Sequence, residues 1–254
     1  NATGGDVLLG GQNNDVIAGN GGADTLNGNE GDDNITGGAG VDTIFGEDGD
    51  DVIVSAAGYD SVTGGAGDDN ITLGNGGAGP GADVAVGGTG DDTITGGGDT
   101  ASAANISGDD GGDILTGGAA RDTISGGAGN DTISGAGGKD QLTGGAGQDR
   151  FVFGASDSGS TVGSFDLIND WEATDRLDFA AAGVTYTEST QADFATAETF
   201  ANGIIGAGTA DVVAVQVGSD VVVFVDTGAN NGTYEDAVVL VGRTINDISD
   251  TNIV

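Results

Sequence analysis

From residue 1 to residue 152 a large apolar residue returns every nine positions, flanked on each side by a polar or small one. The apolar series runs Leu8, Ile17, Leu26, Ile35, Ile44, Ile53, Val62, Ile71, Ala85, Ile94, Ile106, Leu115, Ile124, Ile133, Leu142 and Phe151. Residues 1–72 hold eight units of nine without a gap. Five extra residues, 73–77, precede two further units, and three more, 96–98, precede a last run of six from 99 to 152. Each out-in-out triplet predicts a short strand with one buried side chain. One inward residue in nine makes no globular core by itself, so the units must stack. The Gly pairs that precede most triplets supply the backbone freedom of a tight turn.

The units read G-G-x-G-x-D-x-U-x, where U is the apolar residue, as in GGAGDDNIT (64–72) and GGAGNDTIS (126–134). Sixteen tandem copies resemble the calcium-binding nonapeptides of the repeats-in-toxin (RTX) family. The resemblance covers 152 of the 254 residues. It implies an all-β fold: a calcium-loaded parallel β-roll of about eight turns, two nonapeptides per turn, with calcium between stacked turns. The one inward residue per unit then lines the narrow space between two sheets.

Position six is Asp in 15 of the 16 units, and these are the expected metal ligands: Asp6, Asp15, Asp24, Asp33, Asp42, Asp51, Asp60, Asp69, Asp83, Asp92, Asp113, Asp122, Asp131, Asp140 and Asp149; the exception is Ala104. In a two-unit turn, Asp residues 18 apart lie on one edge, about 4.8 Å apart. Two carboxylates at that spacing repel by roughly 3–4 kcal/mol at an effective dielectric near 20. A cation between them reverses the sign. Calcium–oxygen bonds of about 2.3–2.6 Å span the gap, with backbone carbonyls completing the shell, whereas magnesium prefers shorter bonds. Counting same-edge pairs in which both members are Asp gives a ceiling of about 12 calcium ions. Their charge nearly neutralises the repeat region, which holds 25 acidic and three basic residues. The extra acids at position five, Asp32, Asp50, Asp68 and Asp91, are expected to be solvated.

Composition narrows the function classes. The chain has 54 Gly, one Pro, one Trp and no Cys, His or Met, and its net charge is −36. Without Cys or His there is no zinc finger, thiol nucleophile or Ser-His-Asp triad. The charge disfavours nucleic acid and anionic membranes as partners. No apolar run reaches the roughly 18 residues of a membrane helix, and no secretory signal peptide is visible. Positions seven and nine, which point outward, carry one charged residue, Arg150, in 32 sites. Such a face suits lateral packing against another protein, although Thr and Val also simply favour strands.

From Gly154 onward the period is gone. Residues 153–254 are expected to form a β-rich capping domain with a short helix, beside the 1–152 roll. The segment FDLINDWEATDRLDFAA (165–181) resembles the C-terminal segment of serralysin-type RTX proteins. Phe165, Ile168, Trp171, Leu177 and Phe179 are expected to cover the open end of the roll. Residues 191–202 predict a helix ended by Gly203. Residues 211–217 and 220–227 predict a hairpin across Gly218-Ser219, with 237–242 as a third strand. The polar stretch 226–236 reads as a plain loop or, less readily, another calcium site. The tail, with Ile253 and Val254, suits a closing edge strand or the uncleaved export signal that the family carries.

These readings converge on a non-enzymatic, calcium-folded protein, secreted to the bacterial exterior or cell surface through the type I pathway. The repeats self-repel without calcium, and binding energy becomes folding energy. The first unit is already a repeat and no Met precedes it, so the chain reads as a fragment or processed product. A structural reading, in which the folded protein self-associates into a layer, fibre or matrix or meets a cell-surface partner, leads. The alternative is the non-catalytic calcium-folding and secretion module of a larger exported protease, lipase, toxin or adhesin. A carbohydrate- or ice-binding module is a third, weaker reading.

Overall fold

The computed structural model describes residues 4–76, 81–154, 157–158, 164–179, 185–206, 211–226, 234 and 236–254. Each nonapeptide contributes one strand. In chain order these are β1 (Val7–Gln12), β2 (Val16–Gly21), β3 (Thr25–Glu30), β4 (Asn34–Ala39), β5 (Thr43–Asp48), β6 (Val52–Ala57), β7 (Ser61–Ala66) and β8 (Asn70–Thr72). They continue as β9 (Ala82–Thr89), β10 (Thr93–Thr95), β11 (Ala103–Asp110), β12 (Ile114–Thr116), β13 (Thr123–Ala128), β14 (Thr132–Ser134), β15 (Gln141–Ala146) and β16 (Arg150–Phe153). Odd strands form one parallel sheet and even strands a second, so two units make one turn of a β-roll.

The register keeps position eight in file. Leu8 pairs with Leu26, and Ile17 with Ile35. From Leu26 to Phe151 every position-eight residue is buried. Burying an aliphatic side chain of this size contributes about 1.5–3 kcal/mol. Repeated along the roll, this term offsets the entropy of ordering a Gly-rich chain.

Position four shows why the turns need Gly. Gly40 has φ +143°, and a Cβ there would stand 1.5 Å from the carbonyl oxygen of Gly22, one turn below. No side chain fits at Gly40, although Asn13, Ser102 and Ala120 hold the same position in other units.

The two insertions leave the register intact. Val62 pairs with Ala85 and Ile71 with Ile94 across the first; Ala85 pairs with Ile106 and Ile94 with Leu115 across the second. The first extra residue of each insertion continues the ladder: Leu73 N donates to Thr95 O at 2.8 Å and Gly96 N to Thr116 O at 2.8 Å, and the Leu73 side chain is buried in the core. Residues 77–80 lie outside the described residues.

Both sheets continue beyond residue 152. β17 (Asp166–Ile168) pairs in parallel with β15, Ile168 opposite Leu142. β18 (Arg176–Phe179) pairs in parallel with β16, Leu177 opposite Phe151. Two of the residues expected to cover the end of the roll are therefore its next core positions. Trp171 packs at a tilt against Phe151, 6.3 Å between ring centres, and Phe153 stacks on Phe179 at 5.4 Å.

The remaining elements are β19 (Tyr186–Gln191), α1 (Phe194–Gly206), β20 (Val212–Val217), β21 (Asp220–Val225) and β22 (Asp236–Leu240). β20 and β21 form the expected antiparallel hairpin, with Gly218 at φ +63° in its turn. β22 joins β21 antiparallel and β17 in parallel, adding these strands to the odd sheet. Val212 and Ala214 face the roll core, whereas Val213, Val215 and Phe224 pack with Ala197, Ala201 and Ile205 of α1. Both faces are covered, so these strands read as continuous apolar runs.

The helix does not end at Gly203 but runs on to Gly206. Ile205, buried against the hairpin, holds its last turn in place. The tail closes on β18: Val254 N donates to Leu177 O at 3.0 Å. Among the described residues no helix is long and apolar enough to cross a membrane.

Candidate metal ladder

Position six opens each strand, and there the backbone fixes the Asp side chain. Except at Asp83, which lies below Ala104, the amide of each Asp donates to Oδ1 of the Asp one turn above: Asp6 to Asp24 at 2.7 Å, Asp33 to Asp51 at 2.7 Å and Asp113 to Asp131 at 2.9 Å. Its carbonyl accepts from the next strand, as Asp6 O does from Thr25 N at 2.8 Å. Amide, carbonyl and Oδ1 are thus all engaged, and Oδ2 is left.

That remaining oxygen is the informative one. Oδ2 of Asp24, Asp33, Asp42, Asp51, Asp60, Asp69, Asp92, Asp113, Asp131, Asp140 and Asp166 is buried without a hydrogen-bond partner. An uncompensated buried carboxylate oxygen is costly, so a repeated one signals a missing positive charge. The space beside it is kept open by glycine at position one. A Cβ on Gly28 would lie 2.0 Å from Asp33 Oδ2 and 2.7 Å from Gly46 O. On Gly46 it would lie 2.0 Å from Asp51 Oδ2 and 2.6 Å from Gly64 O, and the same holds at Gly64, Gly87, Gly108 and Gly126. A carboxylate oxygen and a carbonyl oxygen from the next turn thus border one cradle.

Such an all-oxygen donor set suits a hard divalent cation of flexible coordination, as calcium is. Among the described residues no three acidic side chains converge. Any ion in the ladder therefore draws on one or two carboxylates together with backbone carbonyls.

Electrostatics agrees with a ladder that needs neutralising. Burial is the largest cause of raised carboxyl pKa values along it, and the neighbouring carboxylates add to it against the backbone hydrogen bond. Asp51, Asp83, Asp92 and Asp131 are pushed up to about 6, and Asp69 and Asp140 to about 7. Asp166 reaches about 8.

The predicted aspartates occupy these two edges. Asp6 and Asp15, on the first turn, are half-buried, and the thirteen from Asp24 to Asp149 are buried. At the Ala104 turn the pattern changes. Ala104 N still donates to Asp122 Oδ1 at 2.7 Å, but Asp122 Oδ2 accepts from Gly118 N. That turn is closed by protein donors alone.

Sequence reasoning missed two members. Asp140 N donates to Asp166 Oδ1 at 2.7 Å, and Asp149 N to Asp175 Oδ1 at 3.1 Å, each across 26 residues. The signal was present: Asp166-Leu167-Ile168 and Asp175-Arg176-Leu177 repeat the six-seven-eight triplet, nine residues apart. Position-five acids form a second chain of opposite polarity. Asp50 N donates to Asp32 Oδ1 at 3.1 Å, and Asp68 N to Asp50 Oδ1 at 2.9 Å. These side chains are exposed, unlike the inner ladder.

The family model of the RTX calcium-binding nonapeptide repeat matches residues 2–35, 19–53, 27–62, 45–78, 77–100, 107–142 and 133–157. The chain belongs to this family. Its RTX repeats are calcium-binding repeats, in keeping with the oxygen-lined cradles. No curated protein matches the chain in sequence. Among solved structures, the RTX roll is similar to the AlgE6R3 subunit of the Azotobacter vinelandii mannuronan C5-epimerase. That match has 26% identity over 65% of this chain and 80% of that one, at a TM-score of 0.30. It is also similar to the extracellular lipase LipA of Serratia marcescens, at 18% identity over 92% of this chain and 40% of the lipase, with a TM-score of 0.25.

Proposed function

We propose that this is a secreted, non-enzymatic protein whose RTX repeats fold on binding extracellular calcium and then associate with copies of themselves in a surface layer, fibre or matrix. The observation that carries the folding part is the run of buried, unpartnered Oδ2 atoms on both edges. The position-six aspartates are the ligands, with about twelve ions in the repeats as the upper bound. Extracellular calcium modules work at about 10⁻⁴–10⁻³ M, so the chain stays unfolded where calcium is scarce and passes an export channel of the type I kind. In this division of labour 1–152 is the calcium roll and 153–254 seals it and carries the export information.

The association part rests on the outer faces. On the even sheet Val16, Val52, Val54 and Ile114 are exposed, and the charged Arg150 is paired with Asp178 on the neighbouring strand. A long face with little free charge packs laterally at low desolvation cost.

Circular dichroism and light scattering recorded together during a calcium titration test both parts. Gain of β signal followed by growth in particle size supports the proposal. Gain of β signal at constant monomer mass replaces the association part with the second reading, a calcium-folding and secretion module of a larger exported protein.

A further inference from the structure

Beyond the last nonapeptide, the two edges of the ladder end differently. On the even edge, Asp175 takes Asp149 N on Oδ1 at 3.1 Å and Glu172 N on Oδ2 at 2.6 Å. Both its oxygens are closed by protein. On the odd edge, Asp166 takes Asp140 N on Oδ1 at 2.7 Å, and its Oδ2 has no hydrogen-bond partner. The Asp166 residue is 0% exposed, as is Asp140, whose Oδ2 is equally unpartnered. The unexplained charge therefore lies on one edge only.

The surroundings tie Asp166 to the C-terminal strands. Asp166 N donates to Ser158 Oγ at 2.9 Å, Ser158 Oγ donates to Ala237 O at 2.5 Å, and Ser158 N donates to Asp236 Oδ1 at 3.3 Å. Strand β17, which begins at Asp166, is hydrogen-bonded to the roll through β15 and to the C-terminal hairpin through β22. Whatever holds Asp166 thus holds the seam between the roll and the strands that seal it.

We propose a further calcium site at this seam, between the last nonapeptide of the odd edge and β17, in which Asp140 and Asp166 share one ion through their Oδ2 atoms. Two buried carboxylates that face each other across one strand spacing repel, and protein donors do not satisfy them. A hard cation taking oxygen ligands does. The site rests on the calcium ladder proposed above and extends it by one layer on one edge. Its consequence is order: calcium at the seam locks β17 between β15 and β22, so the C-terminal sheet and the roll become one cooperative unit when the ion binds.

The full chain, loaded with calcium, is weighed by native mass spectrometry. The wild type is compared with Asp166→Asn, Asp140→Asn and the double variant, and with Asp175→Asn as the control. Asp166→Asn is expected to carry one ion fewer than wild type, Asp140→Asn at least one fewer, the double no fewer than Asp140→Asn alone, and Asp175→Asn the same number as wild type. In Asp166→Asn, calcium-dependent protection of the 236–240 amides from hydrogen exchange is expected to be lost. Unchanged stoichiometry in Asp166→Asn, or a double variant that carries fewer ions than Asp140→Asn alone, overturns the shared site. Anomalous diffraction from wild-type crystals grown in calcium needs no variant. A peak between Asp140 and Asp166 supports the site. Peaks along the repeats but none there overturn it alone, and no peaks anywhere overturn the calcium ladder itself.

Discussion

The amide of Asp69 donates to Oδ1 of Asp92 at 2.8 Å across 23 residues, the same bond that Asp51 makes to Asp69, also at 2.8 Å, across 18. Five inserted residues change the sequence separation and not the ladder. The stacking unit is therefore the Asp-to-Asp contact, with the core residue two positions on, rather than the nonapeptide as a length of chain. Loops are added where they leave that contact alone.

Inner and outer acids are expected to behave differently. Asp51→Ala removes the acceptor of the Asp33 amide and a buried metal oxygen. The calcium-bound protein should lose about 1.5–3 kcal/mol for the charge-assisted hydrogen bond, and at least one ion with it. Asp50→Ala, on the exposed outer chain, should change stability by less than about 1 kcal/mol and leave the ion count unchanged. Thermal unfolding in calcium and equilibrium dialysis separate the two.

The cradle glycines give a second contrast. Gly46→Ala puts a methyl 2.0 Å from Asp51 Oδ2 and 2.6 Å from a carbonyl oxygen, in the space assigned to the ion. It should cost about 1–3 kcal/mol in overpacking and weaken calcium uptake. Gly203→Ala, in the helix with nothing within 4 Å of the added methyl, should stabilise the protein by about 0.5–1 kcal/mol. Calcium titrations of the two variants should move in opposite directions or not at all for the second.

Ala104 offers a gain. Asp83 makes no amide bond to a rung above it among the described residues, because Ala104 supplies no carboxylate. Ala104→Asp restores that acceptor. The variant should bind at least as much calcium as wild type and melt higher in its presence. A drop in both would show that the turn closed by Gly118 and Asp122 cannot reopen.

Proton and calcium compete for the same oxygens. In the metal-free roll Asp69 and Asp140 are raised to about 7 and Asp166 to about 8, against 3.8 unfolded. A raised carboxyl pKa favours folding most below the unfolded value and loses that benefit as pH climbs through the folded one. The metal-free roll should thus be least stable above about pH 8 and regain β signal toward pH 4. Calcium uptake should release protons and tighten from pH 5 to pH 8. Folding midpoints in calcium that do not move with pH would contradict this.

Much of this was legible in the sequence because the period writes it sixteen times. Position eight gave the core and position six the ladder, since both are repeated chemistry at fixed spacing. Asp166 and Asp175 were hidden because a spacing of 26 replaces 18 there, so only the triplet survives and not the phase. The helix overran Gly203 because Ile205 packs on the hairpin, a tertiary contact that local propensity does not carry. The bond polarity that leaves Oδ2 idle has no sequence signature; it follows from the turn geometry alone.

The central claim is that calcium, and no internal donor, completes the buried ladder. Its most direct test is to remove calcium from the protein, then follow far-ultraviolet circular dichroism and bound calcium in one titration, with magnesium as control. The account expects little β signal at neutral pH without calcium, then a cooperative, calcium-specific rise in step with the uptake of several ions. A full β signal in the metal-free protein at neutral pH, or an equal response to magnesium, would contradict it.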